Sequence, residues 1–295
     1  MKQRVISAVV MIAILLTCLL LSDISRVLLF AAVTILACHE MKNALSKLDC
    51  NVRIWSAYII VLGAVAAVWI GLDKIGGYVF PAFMILMLGV FSEMVVTQSF
   101  TVRDVFATFG VYAYPLAPLM LVMYICLATR PLPDGRSVYI WPAIFINSIL
   151  PCIVSDTFAL LGGRQFGRHK LAPHISPKKT VEGLVCGLAM GTLSGFLAQL
   201  ILDRTGLGLI PTWAVILAAL IASVSGAIGD LAASSVKRAA GIKDYSNLIP
   251  GHGGILDRID SELFANRSCT YSTRCLYKVN ENRLAGRAVM VYTAR

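Results

Sequence analysis

Between Gly226 and Asp260 the chain reads GAIGDLAASSVKRAAGIKDYSNLIPGHGGILDRID, and its acidic residues there are all aspartates: Asp230, Asp244, Asp257 and Asp260. Short carboxylates of this kind suit a hard cation such as Mg²⁺, which takes one or two of them together with phosphate oxygens. The same window holds Lys237, Arg238, Lys243 and Arg258, cations matched to phosphate. A turn of Gly251, His252, Gly253 and Gly254 adds backbone amides able to approach an anion closely. Asp257 and Asp260 stand at i and i+3, so a helix there presents both on one face. His252 is read as a contact to phosphate or backbone in preference to a general base. Carboxylates, cations and bare amides together point to a metal-dependent phosphate site.

Two upstream segments carry further polar groups. Asp156, in PCIVSDTFALLGG, follows a long apolar run, where a carboxylate is costly unless it faces a cavity or a partner. The basic segment GRQFGRHKLAPHISPKKTVEG comes next. Ser176 is expected to cap a helix with Pro177 in its first position. Lys178, Lys179 and Thr180 then decorate a helix N-terminus with Glu182 one turn in, a setting that favours phosphate. Anchoring at a membrane surface is the competing use of the lysine pair.

These segments must be positioned by elements of unusual composition. A mean hydropathy of +0.77, with 58% hydrophobic and only 14% charged residues, excludes an ordinary soluble domain. Apolar runs near 5–22, 26–41, 54–72, 78–97, 105–128, 139–161, 182–202 and 212–229 each read as a span, the second being the weakest. The fold class is therefore all-α, a multi-pass membrane protein with about eight transmembrane helices. No small-residue cleavage site follows Leu21, so the first span is read as retained. With the N-terminus in the cytoplasm, most basic residues fall on the inner side, against Arg26, Lys74, Arg130, Arg136 and Arg204 outside. The site segments then face the cytoplasm from a cell membrane. The net charge of +10 suits anionic lipid or nucleotide and requires no nucleic acid. Glu40 and Glu93, near span ends, read as interfacial carboxylates. The cysteines form no CxxC pair; Cys18, Cys38, Cys126, Cys152 and Cys186 lie in apolar runs as small hydrophobes, and Cys50 in a loop.

The order Ser234, Lys237, Arg238, Lys243, Asp244, Pro250, His252, Gly253, Gly254, Asp257, Arg258, Asp260 resembles the signature of the phosphatidate cytidylyltransferases, or CDP-diacylglycerol synthases. SDTFALLGGRQFG, HKLAPHISPKKTVEG and GAIGDL resemble the family as well, so the likeness is close over 150–261. The resemblance implies an integral-membrane enzyme that joins CTP to phosphatidate, releasing pyrophosphate, with Mg²⁺ and a monovalent cation such as K⁺ beside it. It also allows a homodimer. By the same resemblance Asp230 and Asp257 are metal ligands and Asp260, Lys237 and Arg238 join them in catalysis. Asp156, Lys178, Lys179, Thr180, Glu182, Lys243, Asp244, His252, Gly253, Gly254 and Arg258 follow as substrate-binding groups.

The division expected along the chain is 1–138 for N-terminal helices, 139–261 for the catalytic region and 262–295 for a tail. In that tail, basic residues such as Arg267, Arg274 and Lys278 replace the further apolar span that the family resemblance implies. It reads as a frame change or a truncated gene, with a genuine variant tail as the lesser alternative, and loss of activity is expected from an unanchored helix carrying Asp257 and Asp260. Two alternatives stay open: a related membrane cytidylyltransferase or kinase acting on another lipid or a polyprenol, and a cation-coupled transporter. The transporter calls for charges at the membrane midplane, whereas the polar residues here collect towards one face.

Overall fold

A computed structural model describes residues 2–69, 76–97, 100–131, 137–139, 141–204 and 211–264. The helices are α1 (Lys2–Leu21), α2 (Asp23–Ser46), α3 (Trp55–Trp69), α4 (Gly76–Val96), α5 (Val102–Val111), α6 (Ala117–Leu127), α7 (Trp141–Phe166), α8 (Val181–Arg204) and α9 (Thr212–Ala239). A π-helical turn, Tyr112–Leu116, carries Pro115 and joins α5 to α6. Residues 256–264 form a further helix, α10. Two small antiparallel hairpins complete the described chain: β1 (Thr129–Pro131) with β2 (Ser137–Tyr139), and β3 (Lys170–Ala172) with β4 (Ser176–Thr180).

Each apolar run read from the sequence is largely helical among the described residues. Among the described residues, five are long and apolar enough to cross a membrane: Asp23–Ser46, the joined Val102–Leu127, Phe145–Phe166, Val181–Arg204 and Thr212–Ala239. Ile6–Leu21, Trp55–Trp69 and Met84–Val96 are shorter apolar helices. The run at 26–41, expected to be weakest, thus belongs to one of the five. Large apolar side chains point outward, with Trp69 74% and Val95 80% exposed. Exposure on that scale is what a lipid-facing surface requires.

The described chain groups into two units. The first contains the described residues of 1–128 with 233–260, and the second those of 129–232 with 261–264. Helix α2 runs through the core of the first: Val27, Ala31, Thr34, Cys38 and Met41 recur at helical spacing and are buried. Its start is fixed by a capping box between Ser22 and Ser25. The buried Arg26 is satisfied by the Leu19 carbonyl at 2.8 Å and Asp23 at 2.7 Å. Cys38, Cys126 and Cys152 are buried as expected, Cys18 and Cys186 only partly so, and Cys50 is buried as well.

In the second unit, Gly183, Gly187, Gly191 and Gly195 form a stripe along α8. A β-carbon on Gly187 would lie 2.6 Å from the Ser155 carbonyl of α7, and one on Gly183 2.5 Å from that of Ala159. Small residues therefore let the two backbones meet, the usual device for packing helices where solvent offers no hydrophobic drive.

Candidate active site

In the second unit the basic segment folds differently from its sequence expectation. Ser176 does not cap a helix; Ser176–Thr180 is β4, paired with β3, and α8 begins at Val181. Extended backbone suits the residue before a proline, which Ser176 is. Thr180 is the cap, its Oγ1 accepting from the Gly183 N–H at 3.2 Å. Glu182 therefore sits at the second helical position. Its carboxylate accepts from the Arg168 N–H at 3.0 Å and contacts His169 Nδ1 at 2.6 Å, closing the hairpin onto the helix start.

The hairpin carries Lys179 to Asp230 of α9, with Nζ to Oδ2 at 2.5 Å and both side chains little more than a quarter exposed. Asp156, exposed on α7, exchanges a hydrogen bond with Ser261 and lies within electrostatic reach of Asp230 and Lys179. One ammonium thus faces two carboxylates. Lys178 is exposed on the neighbouring strand position.

Helix α9 does not stop at Gly229 and Asp230, where the sequence reading ended its span. It continues through Lys237 to Ala239, because nothing in LAASSVKRA breaks a helix. The stop is Gly241, at φ +66°, with the Gly241 and Ile242 N–H groups donating back to the Arg238 and Lys237 carbonyls. That pattern is a Schellman cap, and it needs the left-handed residue that glycine supplies.

The extension brings Lys237 into the first unit's polar cluster. Its Nζ lies 2.8 Å from Asp257 Oδ1 and 3.8 Å from Asp260 Oδ2, so the i, i+3 aspartates do share one face. Again one ammonium faces two carboxylates, here largely shielded from solvent. Asp257 Oδ2 also accepts from the Tyr245 N–H at 2.8 Å and the Gly254 N–H at 3.0 Å. The Tyr245 hydroxyl donates to the Ala233 carbonyl. Burial, aided by Asp257, Asp260 and Glu40, pushes that phenol above its ordinary range, so it remains a neutral donor.

Gly254, at the end of the glycine turn, lies against a carboxylate of the chain itself. Glu40 of α2 is buried, with Oε1 accepting from Ser246 Oγ at 2.6 Å and the Ile255 N–H at 3.0 Å. Its Oε2 accepts from the Leu256 N–H at 2.7 Å. A β-carbon on Gly254 would lie 2.5 Å from Glu40 Oε2, and Gly253 takes φ +83° beside Asp244 and Asp257. His252 contacts the chain as well, Nδ1 lying 3.2 Å from Ser7 Oγ. Arg238, Lys243, Asp244 and Arg258 are exposed around this cluster.

Tyr245 and Ser261 were not singled out from sequence, and Glu40, read as an interfacial carboxylate, is buried among chain donors instead. Glu93, the other carboxylate read as interfacial, pairs with Arg53 at 2.7 Å. The tail from 265 onward lies outside the described residues.

A family model described as "Cytidylyltransferase family" matches residues 2–276. The chain belongs to the cytidylyltransferase family. The match covers the signature segment and extends past Ser261 into the residues read as an atypical tail. Phosphatidate cytidylyltransferases of Staphylococcus epidermidis and Staphylococcus haemolyticus are 30% and 31% identical over 268 residues, covering 90% of this chain and 95% of each of those proteins. That of Staphylococcus aureus is 30% identical over the same share. The cytidylyltransferase likeness thus spans the N-terminal helices as well as the two lysine–carboxylate clusters.

Proposed function

We propose that the chain transfers the cytidylyl group of CTP to phosphatidate, giving CDP-diacylglycerol and pyrophosphate. The observation that carries this is the likeness to phosphatidate cytidylyltransferases over nine-tenths of the chain. The described residues suit the reaction. A phosphate monoester is largely dianionic at neutral pH, since its second pKa is about 6, and needs no strong base to become a nucleophile. The obstacle is repulsion between two anions and charge on the departing pyrophosphate, which cations relieve by position. Lys179 and Lys237, each held by aspartates, are fixed cations of that kind. Exposed Lys178, Arg238, Lys243 and Arg258 are further phosphate partners.

Among the described residues no group of three or more His, Cys, Asp or Glu side chains is gathered for a metal. Mg²⁺ bound with nucleotide needs only one or two carboxylates, the rest of its shell being phosphate and water. Asp230 would take a cation in addition to its pairing with Lys179. Asp257 would take a cation in addition to its present partners, Lys237 and two N–H groups. A bound Mg²⁺ would neutralise triphosphate charge and polarise the phosphoryl group, and a monovalent ion such as K⁺ belongs to the same proposal. Asp230 and Asp257 are the proposed ligands, with Asp260 supporting. Lipid enters from the bilayer and nucleotide from the cytoplasm, the side favoured by the basic residues. A homodimer is compatible with this scheme.

The test is CTP-dependent CDP-lipid formation by purified protein against a panel of lipid acceptors, run beside a chain in which Glu262–Arg295 is replaced by about 20 apolar residues. Phosphatidate is expected to be the preferred acceptor, with the repaired chain more active. CDP-lipid from another acceptor, or from neither protein, refutes the assignment; equal rates refute the view of the tail as damaging.

A further inference from the structure

We propose that Glu40 is the positioning residue of the signature segment, a carboxylate from the N-terminal helices that sets the place of Asp257 and the glycine turn. This rests on the cytidylyltransferase reading above. Glu40 is 4% exposed towards the C-terminal end of α2. A carboxylate there is costly unless charge-assisted bonds replace its water. All three donors that replace it come from one short stretch, Ser246, Ile255 and Leu256, more than 200 residues along the chain.

Two of those donors are backbone amides at the start of α10. They are the groups a helix leaves without intrahelical partners, and the helix dipole there favours an anion. Glu40 therefore does the work of a cap, from a different helix. One residue further on, Asp257 bonds Lys237 and receives the Gly254 and Tyr245 N–H groups. The segment between Tyr245 and Asp257 is thus fastened by two carboxylates, Asp257 from within and Glu40 from α2. Gly254 lies between them, where a β-carbon would strike both oxygens of Glu40 at 2.5 and 2.6 Å. That close approach explains a glycine whose backbone shows no positive φ. Helix α1 adds a third fastening, Ser7 Oγ donating to the Pro250 carbonyl at 3.0 Å.

The consequence for the reaction is geometric. The Asp257–Lys237–Asp260 cluster depends on where α10 begins, and Glu40 fixes that start. Loss of Glu40 leaves the cluster's residues intact but lets them wander, which lowers turnover more than nucleotide binding.

The experiment uses the full chain in lipid nanodiscs, with amide hydrogen exchange over 244–257, and CTP-dependent turnover on phosphatidate read both in it and in the chain with Glu262–Arg295 replaced by about 20 apolar residues. Glu40→Ala is expected to speed exchange in this segment by roughly tenfold or more while α3 and α5 keep wild-type rates. It is expected to lower kcat by at least about tenfold with little change in KM for CTP. Glu40→Gln, which keeps an acceptor for Ser246 and Ile255, should fall between. Gly254→Ala should reproduce the loss in wild-type background yet add little to Glu40→Ala, since the clash partner is then absent. Unchanged exchange in Glu40→Ala overturns the proposal. Faster exchange with wild-type kcat overturns it too, leaving Glu40 structural only. No CDP-lipid from either the unmodified or the repaired chain, with the segment still loosened by Glu40→Ala, sinks the functional reading and leaves the fastening standing.

Discussion

Lys237→Met tests the cluster that α9 builds by running past Asp230. The lysine side chain is 11% exposed, and its partners Asp257 and Asp260 are 3% and 13% exposed. Methionine keeps the volume and the helix propensity but leaves two carboxylates facing each other without the ammonium. Removing one partner of a buried ion pair costs about 3–5 kcal/mol, because the remaining charge stays out of water. The lower end applies here, since Asp257 retains the Tyr245 and Gly254 N–H bonds. About 3 kcal/mol corresponds to a fall of roughly 5 °C in the thermal midpoint of a chain of 295 residues. The measurement is a melting curve of the purified protein in detergent, with Lys237→Met beside Lys237→Met/Asp257→Asn. Asparagine still accepts from both N–H groups through its carbonyl but carries no charge, so the double variant should recover about half the loss. A single variant within about 3 °C of wild type, or a double variant no more stable than the single, refutes this account of Lys237.

Two further expectations concern the reaction and its side of the membrane. Asp230→Asn should lower turnover by about a hundredfold or more, because the proposed Mg²⁺ loses an anionic ligand and Lys179 its counter-charge; near-normal rates at saturating Mg²⁺ remove Asp230 from the metal shell. Single cysteines placed at Lys178 and at Lys243, both exposed, should react with a membrane-impermeant maleimide only after the cytoplasmic side is opened. Labelling from outside in intact cells rejects the orientation and the route for CTP.

The helices were legible because their signal is local: a run of apolar residues declares itself without any partner. Their ends were less so. Asp230 looked like a terminus because a carboxylate after an apolar run usually marks the membrane surface, yet the residues after it are ordinary helix formers and the true stop is Gly241. At the start of α8 the misreading went the other way. SPKKT offers a plausible cap followed by proline, but the segment finds a strand partner in Lys170–Ala172 and leaves the capping to Thr180. Pairing energy from a neighbouring strand overrides a local preference that is worth only about 1 kcal/mol.

The polar chemistry shows the same boundary between what is local and what is not. Asp257 and Asp260 announce a shared face by their spacing, and the shared lysine is within the same signature. Glu40 could not be placed by spacing, because its partners are backbone amides that no residue type reveals. The sole signal was energetic: a carboxylate in an apolar helix must be satisfied somewhere, and treating it as interfacial satisfied it with water. Gly254 held the complementary clue. A glycine that needs no special backbone conformation needs room instead, and the group occupying that room is the carboxylate whose partner was missing. Together the two residues account for one another, and they tie the N-terminal helices to the part of the chain that carries the signature.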